Sequence, residues 1–358
     1  MKFPTSPTAD TLLHQGVLTI LIVFIGIFFI ISILFAFATI YFRWSNTRKA
    51  KRWHNLESKW KERLLLILAD EADMQTLLDQ VSKKESLYFI DFLLRYSQRL
   101  KGMEQDHLTK LAQPFLKPIA RHLQGNDPER RARAVLTLSA LGLKEYDKQI
   151  VASLDDPSPL VAMVAVRALA SQDSPEYAPV IMNHLHRFED WSRNFLTSLL
   201  KLIGPEGTPA FRETLSDSQA TPISRATAAQ ALRDLNDLLS ADIAAQVIEM
   251  ESDRDLLAAV LKLLAQVGQE KHVPVIRKLI ASPDFVVRAC ALKALGMIGE
   301  ENDLELIKSG IDDPIPWVAI QAVEGILSAG GQELLQDIAE SDHPRANLAQ
   351  QALAENRQ

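Results

Sequence analysis

Cysteine is nearly missing from these 358 residues: Cys290 stands alone, so no disulfide framework can staple the chain. Runs that alternate apolar with polar residues, the mark of half-buried strands, are scarce, which argues against a sheet. Neither a Walker-type phosphate loop nor a Gly-x-Ser-x-Gly elbow occurs. Eight histidines are present, but His184 and His186 are two residues apart, which on a helix turns their side chains about 200° from each other. A zinc or di-iron site needs ligands that converge, commonly at three- or four-residue spacing, so a metal centre is not expected. Positive charge is also short overall, with a net charge of −6.

What the chain does have is a long apolar run. Val17 to Phe42 is 26 residues without a charge, nineteen of them Val, Leu, Ile or Phe. At about 1.5 Å per residue it reaches about 39 Å, enough to cross a hydrocarbon core of ~30 Å with some tilt. It is too long for a signal-peptide core, and a basic cluster follows it directly, so an uncleaved single-pass anchor is expected. Lys2 is the one basic residue before the run, whereas Arg43, Arg48, Lys49, Lys51, Arg52, Lys59, Lys61 and Arg63 follow it. The positive-inside rule then places a short segment 1–16 outside and everything after Phe42 in the cytoplasm. Residues 43–63 read as a basic juxtamembrane helix. Tyr41, Trp44, Trp53 and Trp60, with Arg43, Arg48, Lys49, Lys51 and Arg52, would sit at the membrane interface and hold anionic lipid. An ordinary solvated helix is the alternative for that stretch. Residues 64–358 carry 30 basic and 42 acidic residues. An acidic body is a poor host for nucleic acid, which needs a basic face.

A repeat runs through the rest. The pairs Ala140-Leu141, Ala168-Leu169, Leu199-Leu200, Ala231-Leu232, Leu263-Leu264, Ala294-Leu295 and Gly325-Ile326 follow one another at steps of 28, 31, 32, 32, 31 and 31 residues. Periods of this length mark stacked units that cannot bury their apolar faces alone. In the clearest unit Val287, Ala291, Ala294, Leu295 and Ile298 recur at helical spacing, and Gly299 stops the helix. A second amphipathic helix runs from Leu304 to Ile311, and Asp313-Pro314 ends the unit. Asp127-Pro128 and Asp156-Pro157 repeat that punctuation, because proline drives the residue before it out of the helical region and suits the next first turn. Each unit is therefore a short helical hairpin. Asp155-Asp156 and Asp312-Asp313 fall at the turns, where aspartate caps helices.

The Asp-Pro turn, the Val-Arg pair and the Ala-Leu-Gly run together resemble the HEAT-repeat family, in particular the short bacterial type also found in phycobilin lyases. The resemblance spans Gly125 to Gln358 and implies an all-α, right-handed α-solenoid of helical hairpins. Residues 64–124 would be a helical cap or degenerate repeats before it. It places Arg193, Arg225 and Arg288 at the family's arginine position, where the expected role is a structural ladder between units. The chain departs from the family at Glu189-Asp190 and around Thr221-Pro222. HEAT-like hydroxylases bind di-iron through His-Glu pairs, and this sequence has no His-Glu dipeptide.

Cys290, between Ala289 and Ala291, reads as a small core residue. Trp191 and Trp317 occupy one position of the repeat near the start of the first helix, where tryptophan either packs on the preceding unit or anchors a partner. Trp317 is expected to be exposed and Trp191 packed. The reading that follows is a non-enzymatic scaffold, without cofactor or small-molecule substrate, that positions a protein partner at the inner face of a bacterial membrane. A membrane enzyme complex, such as one making envelope polysaccharide, would be a suitable client. A bilin-lyase-like cofactor-handling enzyme and a flexible regulatory sensor are the alternatives.

Overall fold

The computed structural model describes residues 9–82, 85–97, 103–172 and 174–356; the side chains of residues 9–25, 46, 49, 50, 52 and 87 lie outside the described part. Among the described residues the secondary structure is all helical. The chain divides into two compact units, residues 1–115 and 116–358.

In the first unit, α1 is one unbroken helix of 60 residues, Ala9–Leu68. Nothing interrupts it, because no glycine or proline occurs between Gly26 and Leu68. Gly26–Ser45 is a stretch of 20 residues with mean hydropathy 2.0 and no part of it buried, long and apolar enough to span a membrane. The same helix then enters a protein core. Leu56, Trp60, Leu64 and Ile67 recur at three- and four-residue steps and are buried. They meet α2 (Met74–Leu78) and α3 (Ser86–Ser97), whose buried side chains include Leu77, Phe89, Phe92 and Leu93; α4 (Met103–His122) follows with Leu108 and Leu111 buried. The Trp60 ring stands edge-on to Phe89 at 5.2 Å and 5.7 Å from Phe92.

The second unit alternates long and short helices. The long ones are α5 (Pro128–Ala140), α7 (Pro159–Ala170), α9 (Arg193–Ile203), α11 (Pro222–Asp234), α13 (Arg254–Val267), α15 (Phe285–Ile298) and α17 (Pro316–Ser328). The short ones between and after them are α6 (Asp147–Ala152), α8 (Ala178–His184), α10 (Thr208–Ser216), α12 (Ala241–Met250), α14 (Val273–Leu279), α16 (Leu304–Ser309) and α18 (Gln332–Glu340). A last helix, α19 (Ala346–Glu355), follows. Aspartate starts many of the long helices: Asp127 accepts from the Glu129 N–H at 3.0 Å, Asp253 from Leu256 at 2.8 Å and Asp284 from Val286 at 2.8 Å. Small residues let consecutive long helices approach closely. A Cβ built on Gly296 would lie 2.2 Å from the Gly325 carbonyl oxygen, so α15 and α17 touch backbone to backbone there.

Candidate interaction face

The arginine ladder sets the register of every outward-facing residue. Arg288 reaches forward to Asp313 at 2.7 and 3.1 Å and back to the Ser282 carbonyl at 2.9 Å. Arg131 does the same with Asp156 at 2.7 and 2.9 Å and the Gly125 carbonyl at 2.9 Å. Arg131 is therefore the counterpart of Arg288, which corrects the first sequence pair: Leu138, not Leu141, matches Leu295, and the uneven step of 28 becomes 31. The pair Ala140-Leu141 stands one turn too late because Leu141-Gly142 matches Ile298-Gly299. The ladder position then runs Arg131, Ala162, Arg193, Arg225, Leu257, Arg288 and Ala319. Anchoring on the Asp-Pro turns would have given Arg133 instead, because Asp127 stands two residues later in the repeat than Asp156 and Asp313.

The rungs differ in quality. Arg225 is buried, pairs with Glu251 at 2.5 Å and donates to the Leu215 carbonyl at 3.0 Å. Arg193 comes only within 3.8 Å of Asp255, and its buried Nε has no partner among the described residues; 25 positions later stands Ser218 and not an acidic residue. Where the ladder residue is alanine, an arginine from the next unit holds the turn: Arg187 donates to the Leu154 and Asp156 carbonyls, and Arg345 to those of Ile311 and Asp313. Burial pushes the Asp156 carboxyl up, but the Arg131 hydrogen bond, the Ser158 N–H and the Arg131 and Arg187 charges outweigh it and hold it below the usual carboxylate range. At Asp313 the Arg288 hydrogen bond dominates, in the same direction. These charges are spent on structure.

Residues two before, two after, five after and nine after the ladder position share one helical face. At these places lie the exposed side chains Leu136, Leu160, Phe195, Leu202, Met297 and Trp317, while the place two after the ladder is buried at Thr227, Ala259 and Gln321. Trp317 is 52% exposed. Trp191, at the equivalent repeat position two residues before α9, is half-buried, stacked on Phe195 at 5.6 Å and edge-on to Phe188 at 6.1 Å. The other exposed apolar side chains escaped sequence reading, because they can be told from core residues only after the register is known.

The expected membrane-interface residues divide. Tyr41 and Trp44 are exposed, and the Arg48 guanidinium lies 3.5 Å over the Trp44 ring. The side chains of Lys49 and Arg52 lie outside the described residues. Trp60 does not face the interface, since it is fully buried against α3. Trp53 is half-buried, 6.1 Å from the Tyr88 ring with the Arg95 guanidinium 4.3 Å above it. The amphipathic face read as lipid-binding is instead covered by protein.

Cys290 is mostly covered, and burial pushes its thiol above the usual range despite Lys262 and Lys293. It should therefore alkylate slowly at neutral pH with a small maleimide, and Cys290→Ala should cost about 1 kcal/mol or less. A fast-reacting thiol would contradict that placement. His184 contacts Asp155 at 3.1 Å, whereas His186 contacts the Asn183 carbonyl, so the two do not converge. Among the described residues no group of three or more His, Cys, Asp and Glu is arranged to hold a metal ion.

Residues 241–328, from α12 through α17, match the family of HEAT repeats. That stretch is made of HEAT repeats. No curated protein matches it. Among solved structures, the karyopherin Kap121p bound to the extreme C-terminus of the phosphatase Cdc14p is 14% identical, with a TM-score of 0.44 over 73% of this chain. This chain spans 35% of that karyopherin's length. Human deoxyhypusine hydroxylase is 16% identical with a TM-score of 0.32, covering 70% of this chain and 100% of that one. The CpcE–CpcF complex of phycocyanin lyase from Nostoc sp. PCC7120 is 17% identical with a TM-score of 0.33, covering 68% and 88%.

Proposed function

We propose that this protein is a single-pass membrane-anchored scaffold that holds a protein partner at the cytoplasmic face of a bacterial inner membrane. The observation that carries the reading is the outward face of the second unit, where Trp317 and other apolar side chains stand exposed. Exposed tryptophan is among the side chains most enriched at binding hot spots. The anchor is the uncovered apolar stretch Gly26–Ser45. Anionic lipid would be held by Tyr41, Arg43, Trp44, Arg48 and Lys51, the part of the basic stretch that precedes the protein core. The proposal includes no catalysis, no cofactor and no nucleic acid.

Trp317→Ala should weaken partner recovery from native membranes at least tenfold, about 1.4 kcal/mol or more, with thermal unfolding nearly unmoved. Trp191→Ala should instead destabilise by about 2 kcal/mol, because its ring is wedged between Phe188 and Phe195. Acrylamide quenching of the wild type against Trp317→Phe checks the premise. If the Phe variant loses no quenchable emission, Trp317 is covered and the face lacks its anchor.

Orientation is tested separately. A reporter joined after Gln358 should behave as cytoplasmic, since eight basic residues follow the span within about twenty positions. Strong periplasmic phosphatase activity from that fusion would reverse the topology.

A further inference from the structure

The turns that join each long helix to its short partner line one edge of the second unit, and the repeat supplies its own controls there. Six of them are single 3-10 turns: Lys144–Tyr146, Pro175–Tyr177, Pro205–Gly207, Leu238–Ser240, Glu270–His272 and Glu301–Asp303. In each, the third residue is buried or half-buried, and the first two are exposed except for the half-buried Pro175. In five turns an exposed glutamate takes one of these two outer places: Glu145, Glu176, Glu206, Glu270 and Glu301. The fourth turn has Leu238 and Leu239 instead, 65% and 72% exposed.

Nothing in the fold asks for leucine at either place. The turn is closed by other groups: Arg212 pairs with Asp237 at 2.6 Å, and the Ser240 hydroxyl donates to the Asp237 carbonyl. α12 packs through Ala244, Val247 and Ile248. Two lysines occur in these turns, Lys144 and Lys271, and Lys271 is already held by Asp242 at 2.6 Å. The edge is thus an apolar pair set in a row of glutamates, one turn about 10 Å from the next.

We propose that this edge is the docking strip for a basic amphipathic segment of a protein partner. Leu238 and Leu239 take the apolar side of the segment, and the flanking glutamates take its lysines and arginines. The charge on the edge selects the occupant: acidic segments and anionic lipid are repelled, and a neutral apolar segment would leave the glutamates unused. The inference rests on the scaffold reading and names the chemistry of its partner.

The probe is a fluorescein-labelled 18-residue helix with leucine on one face and lysine on the other, added to the full chain in an uncharged detergent. It should bind, more weakly as salt rises. The double variant Leu238→Ser/Leu239→Ser should lose at least tenfold in affinity while its unfolding temperature stays put. The same peptide with glutamate for lysine should not bind. Equal binding by the double variant, or by the glutamate peptide, overturns the proposal. A photo-cross-linking residue placed at position 239 or at 317 in native membranes separates this idea from the broader one. An adduct from 239 that maps to a basic amphipathic segment supports the strip. One that maps to an acidic segment, or adducts from 317 alone, overturns the strip and leaves the scaffold standing. No adduct from either position overturns both.

Discussion

Trp60→Ala should unfold the first unit while leaving the membrane anchor in place. The ring is fully buried, edge-on to Phe89 at 5.2 Å and beside Phe92 at 5.7 Å, and its indole N–H has no partner among the described residues. Truncating such a side chain costs about 3–5 kcal/mol, from lost transfer energy plus the cavity left behind. A domain is stable by only about 5–15 kcal/mol, so the loss is a large share of the total. The variant should stay in the membrane fraction but show early proteolysis within α2–α4 and a lower urea midpoint for that unit. An interfacial tryptophan would behave in the opposite way, with vesicle binding weakened and folding unchanged. The same packing means that residues 56–68 cannot be removed together with the span as though they were a linker.

Gly296→Ala should be comparably damaging in the second unit, against the usual direction of a glycine-to-alanine change. In an exposed helix interior the exchange stabilises by about 1 kcal/mol through helix propensity. Here the new methyl would lie 2.2 Å from the Gly325 oxygen and 2.4 Å from its Cα, both backbone atoms with no rotamer to change. α15 and α17 would have to separate, and overpacking of this kind costs about 1–3 kcal/mol, occasionally more. The clash wins because it displaces whole helices rather than one side chain. Calorimetry on the full chain should show the second unit melting earlier. Gly26→Ala, with nothing within 4 Å, is the control and should leave it unmoved. An unchanged melting temperature in Gly296→Ala would mean that the two helices are not in backbone contact.

The regular elements were legible because their signals are local. The helical period of Val287, Ala291, Ala294 and Leu295, the Asp caps and the stop at Gly299 act within a turn or two of each other, so hairpins of about 31 residues follow from the string of letters. Register in the first unit of the repeat was harder. Ala140-Leu141 imitates the motif one turn late, and only the Arg131–Asp156 pair, 25 residues apart, fixes the alignment. Arg187 and Arg345 were invisible for a related reason: they substitute for ladder arginines from one unit further on, at a separation no short motif contains.

The membrane-proximal stretch shows most clearly where local reading stops. Trp53, Leu56, Trp60 and Leu64 share a helical face whether that face meets lipid or protein, since periodicity records that it is apolar and not what covers it. Composition and hydropathy by themselves determined an apolar stretch long enough to span, an acidic body after it and a stack of helical hairpins, because those properties sum over many residues and tolerate local error. The tertiary structure alone decided that Trp60 is core, that the Gly296 backbone meets that of Gly325, and that Leu238 and Leu239 stand in solvent. Burial depends on which surfaces come together across tens of residues, and that is a property of the packed chain.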